Sequence, residues 1–341
     1  MLTIVIAAVL IALIFDFLNG MNDAANSIAT IVSTKVLSPR WAVIWAAIFN
    51  FAAVFIFGVH VANTIGKGIV QPNLINEYFV LAALIGAVTW TYICTHFGMP
   101  ISVSHALIGG LIGPGLVAGG FDALIGSGIL KIAIFIVLSP ILGFILGNIF
   151  MSLTLLIFRN KTPQKVDSYF RMLQFASSAV FSIGHGSNDA QKTMGIIAIL
   201  LFSVRDKLDT LNLPEWIYHG NEFYVPNWVI FCAYSAIALG TLLGGWKVVK
   251  TLGVGLTDLK PVGGFSAEAA AAATLIGTSL SGIPVSTTHT ITGAIMGVGV
   301  TRRFSAVRWT VASHIVIAWV LTIPASMFVS GLTYWVIKFF I

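Results

Sequence analysis

The sequence predicts an all-α polytopic membrane protein built from two inverted-topology repeats of about five spans each, with interrupted helices and helical hairpins. Three observations lead there. Of its 341 residues 57% are hydrophobic and only 9% are charged, and the mean hydropathy is +0.96, outside the range of soluble globular domains. Apolar runs long enough to cross ~30 Å of hydrocarbon recur from end to end. Two short motifs also occur twice, in the same order. "GMNDA" at 20–24 returns as "GSNDA" at 186–190, an offset of 166 (188 minus 22), and "GMPISVSHALIGG" at 98–110 returns as "GIPVSTTHTITGA" at 282–294, an offset of 184 (288 minus 104). The difference between the offsets fits a longer loop at 204–226.

The first apolar segment has no Lys or Arg over residues 1–15, and a polar motif stands where a cleavage site would, so it is expected to remain as a helix. Lys35 and Arg40 flank the next loop, Arg159, Lys161, Lys165 and Arg171 surround another, Lys247, Lys250 and Lys260 mark a third, and Arg302, Arg303 and Arg308 a fourth. By the positive-inside rule these four face the cytoplasm of the cell (inner) membrane. Residues 61–77 hold only Lys67 and Glu77, and 204–226 are net acidic, with Asp206, Asp209, Glu215 and Glu222 against Arg205 and Lys207. Those two face outward, which places both termini outside. The first N-D segment then runs inward and the second outward, so the units 1–158 and 169–341, joined by a cytoplasmic linker at 159–168, are inverted. Segments 124–158 and 309–340 exceed one perpendicular crossing, so tilt or a kink at Pro140 and Pro324 is expected. Cys94 and Cys232 stand singly in apolar segments without metal-ligand spacing and read as packing residues. The formal charge of +6 sits in the loops and calls for no nucleic-acid partner.

An ionised carboxylate in hydrocarbon is costly, and such residues within spans line cavities or ion paths. Asp23 and Asp189 fall at equivalent places, after Asn22 and Asn188 and close to Gly20 and Gly186. Glycine lets backbone unwind, and unwound carbonyls beside a carboxylate and an amide are the hard oxygen ligands a small cation takes. Simple pairing with polar neighbours is the structural alternative, which two symmetric copies disfavour. In "PISVSH" and "PVSTTH", Pro100 and Pro284 suit a first helical turn, and Ser102, Ser104, Ser286, Thr287 and Thr288 follow at once. A helix start offers N–H groups and a positive dipole end, and hydroxyls beside it suit a tetrahedral oxyanion. Proline kinks capped by serines are the alternative. His105 and His289 match each other and serve either substrate or packing, whereas His185, whose counterpart is Asn19, cannot share a symmetric role. Asp16 and Glu268 are acids without a duplicate; Asp16 lies two helical turns before Asp23 on a similar face, as a structural pair or as part of the site. Inverted repeats of this kind build one site near the bilayer midplane that opens to either side.

In order and content the motifs resemble those of the PiT-type inorganic phosphate transporters, which are cation-coupled phosphate symporters. The matching stretches are "GMNDAAN" at 20–26, "GMPISVSH" at 98–105, "HGSNDAQK" at 185–192 and "GIPVSTTH" at 282–289, and the duplication that holds them spans nearly the whole chain. The resemblance implies a phosphate site between the repeats and implicates Ser102, Ser104, Ser286, Thr287 and Thr288, to which the matching positions of His105 and His289 add those two. It implies coupling-ion ligands at Asp23, Asn26 and Asp189 and a functional glutamate at Glu268, beside which the reading of the residues sets Asn22, Asn188 and Lys192; a coupling proton or sodium ion is expected, and no organic cofactor or resident metal. This chain is similar to the bacterial branch in having Lys192 where sodium-coupled members tend to have Asn, and Asn50 where they tend to have Glu.

Lys192 aligns with Asn26, so an ammonium is expected to fill a second cation site beside Asp189 and to leave proton coupling to Asp23, Glu268 or a histidine. A lysine directed at a lipid headgroup or a loop is the other reading. The expected function is cation-coupled secondary symport of inorganic phosphate across the plasma membrane by alternating access, with a proton favoured over sodium. Sodium coupling, a metal-phosphate cargo or another oxyanion such as sulfate are the alternatives. An enzyme is disfavoured: H-E-x-x-H and the paired Y-D and G-x-G-D contexts of intramembrane proteases are absent. The carrier is expected to work in the lipid bilayer as a homodimer. Asp23→Asn and Asp189→Asn are each expected to abolish coupled uptake in a folded protein.

Overall fold

The computed structural model describes residues 2–211, 214–253 and 255–340, and all their side chains but those of Lys67 and Asp209. The loop-charge readings at those two residues therefore lie outside the described side chains, as do both chain ends. The chain folds into α1 (Leu2–Ser33), α2 (Pro39–Ala52), α3 (His60–Lys67), α4 (Glu77–Phe97), α5 (Val103–Gly119), α6 (Gly126–Phe158), α7 (Pro163–Ser203), α8 (Arg205–Asp209), α9 (Asn227–Leu243), α10 (Trp246–Gly253), α11 (Pro261–Leu280), α12 (Thr287–Arg302) and α13 (Trp309–Ile337). Because α7 begins at Pro163, the part of the connection from there to 168 is already helix.

The elements of the two units correspond: α1 to α7, α2–α3 to α9–α10, α4–α5 to α11–α12 and α6 to α13, with α8 in the longer loop of the second unit. Packing partners exchange in the same way. Helix α6 lies on α12 while α13 lies on α5, and α1 lies on α9 while α7 lies on α2, so each unit buries its apolar faces against the other.

Among the described residues five helices are long and apolar enough to cross a membrane alone, namely α1, α4, α5 with its following turn, α6 and α13, and two bent pairs bring the number to seven. This is a multi-pass membrane protein. Helices α7, α11 and α12 fall outside that count; α7 and α11 carry buried ionisable residues, and α12 has 16 residues. The bent pairs are α2–α3, at 85°, and α9–α10, at 74°. Helices α4 and α5 form one hairpin, α11 and α12 the other. Both turns contain a glycine in the left-handed region, Gly98 at φ 71° and Gly282 at φ 64°, where a side chain would clash.

The hairpins enter from opposite ends. Glu77 at the start of α4 binds Lys207 (3.1 Å) beside α8, joining the two loops predicted to share one side. Pro261 at the start of α11 and Arg302 at the end of α12 line a cavity with Lys35, Arg159, Lys161, Arg171 and Lys260, so all four basic loops gather at the other end. Both proline motifs are thereby carried into the middle of the bundle.

Two expectations about local backbone need correction. The unwinding expected at Gly20 and Gly186 does not occur, since α1 and α7 are helical throughout. The glycines serve close crossings instead: a Cβ at Gly20 would overlap backbone of Ile237 on α9, and one at Gly186 backbone of Asn50 on the equivalent α2. The prolines likewise precede the helix starts, because Ser102 and Ser286 are the N-caps of α5 and α12, accepting from the N–H of His105 and of His289. Pro140 and Pro324 do lie inside unbroken α6 and α13. Pro140 has no N–H for the Ile136 carbonyl one turn back, and His289 Nδ1 donates to that oxygen at 3.2 Å. Gly20→Val is expected to destabilise the protein by about 1–3 kcal/mol or more through overpacking, read as a lower unfolding midpoint in detergent; an unchanged midpoint would mean that α9 yields.

Candidate functional site

The polar residues that interrupt the apolar sequence of α1 and α7 face each other. Thr30 on α1 and Gln174 and Ser177 on α7 all bond Glu268; Asp23 faces His185; Asp16 interacts with Thr193. Numbers rise along α1 as they fall along α7, so these two equivalent helices run antiparallel, with a seam of ionisable groups between them.

At the centre of the seam the Thr287 hydroxyl, in the first turn of α12, stands 3.0 Å from Asp23 Oδ2 and 3.1 Å from Asp189 Oδ2. It has one proton and can donate to one of them at a time. Thr288 Oγ1 lies 3.3 Å from Asp23 Oδ1 and 2.9 Å from the Ile101 carbonyl, so α12 is tied to α1 and to the turn before α5. Asn26 Nδ2 donates to both threonines, at 3.3 and 3.0 Å. His185 Nε2 lies 3.2 Å from Asp189 Oδ2 and 3.8 Å from Asp23 Oδ2. Asp23, His185 and Asp189 each offer a ligand atom within 4.8 Å of the others, close enough to share a proton or to hold a small cation.

Lys192 is not at a loop or a headgroup. It is 2% exposed, and its ammonium uses all three donors, on Asp189 Oδ1, on Ser104 Oγ and on the Val285 carbonyl. One cation thus ties the second N-D motif to both proline motifs. Asn22 and Asn188 brace the hairpins in matched fashion, donating to Thr95 at 2.7 Å and to Ser279 at 3.3 Å, equivalent residues at the ends of α4 and α11. His105 and His289 meet edge to face at 4.6 Å, and His289 stacks on Trp319 at 3.6 Å.

Glu268 lies one station further along the seam, accepting from Thr30 at 2.6 Å, from Gln174 at 3.0 Å and from Ser177. Gln174 in turn accepts from Thr34 at 2.8 Å. Thr34 lines the basic cavity, which measures about 1050 Å³. The Glu268 network therefore stands between that cavity and the Asp23–Asp189 centre.

Comparison with known proteins places this geometry. The model of a family described as "Phosphate transporter family" matches residues 19–330. The chain belongs to the phosphate transporter family. Over 331 residues it is 53% identical to a "Probable low-affinity inorganic phosphate transporter" of Rhizobium meliloti (strain 1021), covering 97% of this chain and 96% of that one. It is 42% identical to a protein of the same description in Bacillus subtilis (strain 168), covering 99% and 98%. A solved structure described as "The sodium-dependent phosphate transporter" superposes with a TM-score of 0.85 at 29% identity, covering 99% of this chain and 100% of that one. As a member of a family of transporters the chain is no enzyme.

Of the residues singled out from sequence in this phosphate transporter family member, Asp23, Asn26, Asp189, Lys192, Ser104, Thr287 and Thr288 converge. Asn22 and Asn188 brace the hairpins beside them, Ser102 and Ser286 act as caps, His289 is held against α6 and Trp319, and Glu268 stands apart. His185 was missed: it sits between the two aspartates, although its counterpart Asn19 cannot do the same chemistry. Asn50, which differs from the sodium-coupled pattern, holds it there at 3.1 Å.

Proposed function

We propose that this protein is a proton-coupled symporter of inorganic phosphate, with phosphate held between the starts of α5 and α12 and the coupling proton held by Asp23, His185 and Asp189. The observation that carries the reading is the hydrogen-bond chain Thr241–Asn50–His185, from which the tautomer of His185 follows. Thr241 donates its hydroxyl to the Ile237 carbonyl at 2.8 Å, so it accepts from Asn50 Nδ2 at 3.0 Å. That turns Asn50 Oδ1 toward His185, whose Nδ1 must carry a hydrogen. Nε2 then faces two carboxylates that share one threonine proton between them. Lone pairs would oppose one another unless a further proton lay at Nε2 or on a carboxyl. With it, two aspartates balance Lys192 and the protonated group, and the centre is neutral enough to stay buried.

Lys192 supports the same reading from the other side, since its ammonium lies where Asn26 stands in the first unit. Phosphate at neutral pH retains a proton that sulfate lacks, and an acceptor carboxylate such as Asp23 favours it; arsenate, close in shape and acidity, competes. The antiparallel crossing of α1 and α7 supports inverted repeats over 1–158 and 169–341. The gathering of basic loops supports a cytoplasmic mouth at the 1050 Å³ cavity and extracytoplasmic termini, in the inner membrane. Alternating access then moves one repeat against the other about the occupied centre, with Glu268 on the cytoplasmic side of it.

One observation favours sodium. Asn22 Oδ1 and Asn26 Oδ1, on either side of Asp23, are buried without hydrogen-bond partners, and unpaired amide oxygens beside a carboxylate suit a hard cation. Uptake of labelled phosphate into proteoliposomes under separately imposed proton and sodium gradients, with sulfate in excess, separates the readings. Proton-driven, sulfate-indifferent uptake is expected. Sodium-driven uptake would transfer the coupling to the Asn22–Asp23–Asn26 oxygens, and uptake suppressed by sulfate would overturn the cargo.

A further inference from the structure

Among the described residues Asp16, Asp23, Asp189 and Glu268 are acids buried along the α1–α7 seam, and the last three make hydrogen bonds or ion pairs of good geometry. Asp189 meets Lys192 and His185, Asp23 meets Thr287 and Thr288, and Glu268 accepts from Thr30, Gln174 and Ser177. Asp16 does not. It is 0% exposed, yet neither carboxyl oxygen makes a hydrogen bond, and Asn19 Oδ1, Thr193 Oγ1 and Tyr234 Oη are likewise buried without one. Asn19 and Thr193 lie close enough to act on it, and Asp16 in turn acts on Tyr234. The titratable groups that face it are His185 and Asp189 from α7 and Tyr234 from α9.

Among the described residues no cationic side chain forms an ion pair with Asp16, and the positive charge that acts on it from a distance is that of His185. An ionised carboxylate buried without a partner costs several kcal/mol, whereas a carboxylic acid both donates and accepts and suits the hydroxyls and the amide oxygen around it. Its position is also regular. Asp16, Asp23 and Thr30 follow one another at seven-residue intervals on one face of α1, a rise of about 10 Å each, so the Asp16 group, the Asp23–His185–Asp189 group and the Glu268 group form three acidic stations along the α1–α7 seam. Asn19 lies between the first two on α1, and Thr193 lies one turn beyond Asp189 on α7.

We propose that Asp16 is a separate proton-binding station, at the end of the seam away from the basic loops, that exchanges its proton with the central group. The inference rests on the proton-coupled reading above. In the transfer the O–H bond of Asp16 breaks and a bond to hydrogen forms at the Asp23 carboxylate or at His185 Nε2, through the polar groups of Asn19 and Thr193. Negative charge moves to Asp16, and a proton entering from the outer side restores the acid. With phosphate between the starts of α5 and α12, as proposed above, Asp16, Asn19 and Thr193 would lie off the anion's route, which would meet the proton's route only at Asp23 and Asp189.

The test compares wild type and Asp16→Asn in proteoliposomes by two assays, counterflow of labelled phosphate at equal concentrations and accumulation driven by a pH gradient. The amide mimics the protonated acid and cannot release a proton. The ratio of accumulation to counterflow is expected to collapse, with no accumulation above the external concentration. Accumulation at the wild-type level, or equal loss of both activities in a folded variant, would overturn the proposal. Infrared difference spectra of the wild type and of Asp16→Glu give a second readout, which does not need the amide variant to fold. The carbonyl stretch of a protonated, buried carboxylic acid is expected in the wild type and should shift in Asp16→Glu; its absence from the wild type would also overturn the proposal. Failure of wild-type counterflow would instead sink the phosphate reading and leave the infrared result to decide for Asp16.

Discussion

Asp23→Asn is expected to abolish gradient-driven phosphate uptake while the unfolding midpoint stays near that of the wild type. The asparagine keeps an oxygen at the Oδ1 position to accept from Thr288, and its amide NH2 at the Oδ2 position can donate to the Thr287 hydroxyl, which still donates to Asp189, and to His185 Nε2 once that nitrogen has lost its proton, so no buried polar group is orphaned. What disappears is a site that binds and releases a proton. Asp189→Asn should also abolish uptake but should not leave the fold intact, which departs from the expectation raised by the symmetry of the two motifs. Lys192 would keep its ammonium, 2% exposed, with only neutral oxygens to meet it, those of Ser104, the Val285 carbonyl and the new amide. Removing one partner of a buried ion pair costs about 3–5 kcal/mol. The double variant Asp189→Asn with Lys192→Met removes both charges and should regain stability without regaining uptake. Thermal unfolding in detergent, read beside uptake, checks the set; normal uptake by Asp23→Asn would remove that residue from the coupling machinery.

The difference between the two aspartates marks how far the sequence could be read. Two motifs repeated in order were enough to indicate the fold class, the duplication and the pairing of carboxylates with hydroxyls, because each of those is local and occurs twice. Whatever depends on how α1 meets α7 was hidden. His185 has no symmetric twin, and its role follows from lying across an antiparallel seam from Asp23 and from a hydrogen bond to Asn50, 135 residues away in the chain. Gly20 and Gly186 suggested unwound backbone, since a glycine that permits unwinding and one that permits close helix crossing look alike until the neighbour is known. Ser102 and Ser286 read as anion donors for a similar reason, because the hydroxyl that caps a helix start is also the hydroxyl nearest any anion bound there. Their protons are still free to donate while the oxygen accepts, so the cap itself can orient a donor toward phosphate.

On the proton-coupled reading, Lys192→Asn should convert the transporter from one that ignores sodium to one that depends on it. The lysine is a cation attached to the chain, and it neutralises Asp189 whether or not anything else is bound. Asparagine at that position supplies what Asn26 supplies in the first unit, an amide oxygen beside a carboxylate, and leaves room for a mobile ion. Without one, Asp189 retains only His185 and Thr287 as partners, so the variant should be destabilised in the absence of sodium and recover as sodium is added, in proportion to the logarithm of its concentration above the dissociation constant. Wild type, with the place already filled, should show no such recovery. Lys192→Met removes the charge and offers no oxygen, and it should be destabilised by about 3–5 kcal/mol whatever salt is present. Unfolding midpoints in sodium and in choline chloride, with uptake under each gradient, distinguish these outcomes. If Lys192→Asn transported like the wild type and ignored sodium in both assays, the ammonium would be a structural tie between the proline motifs and not a permanent occupant of a cation site.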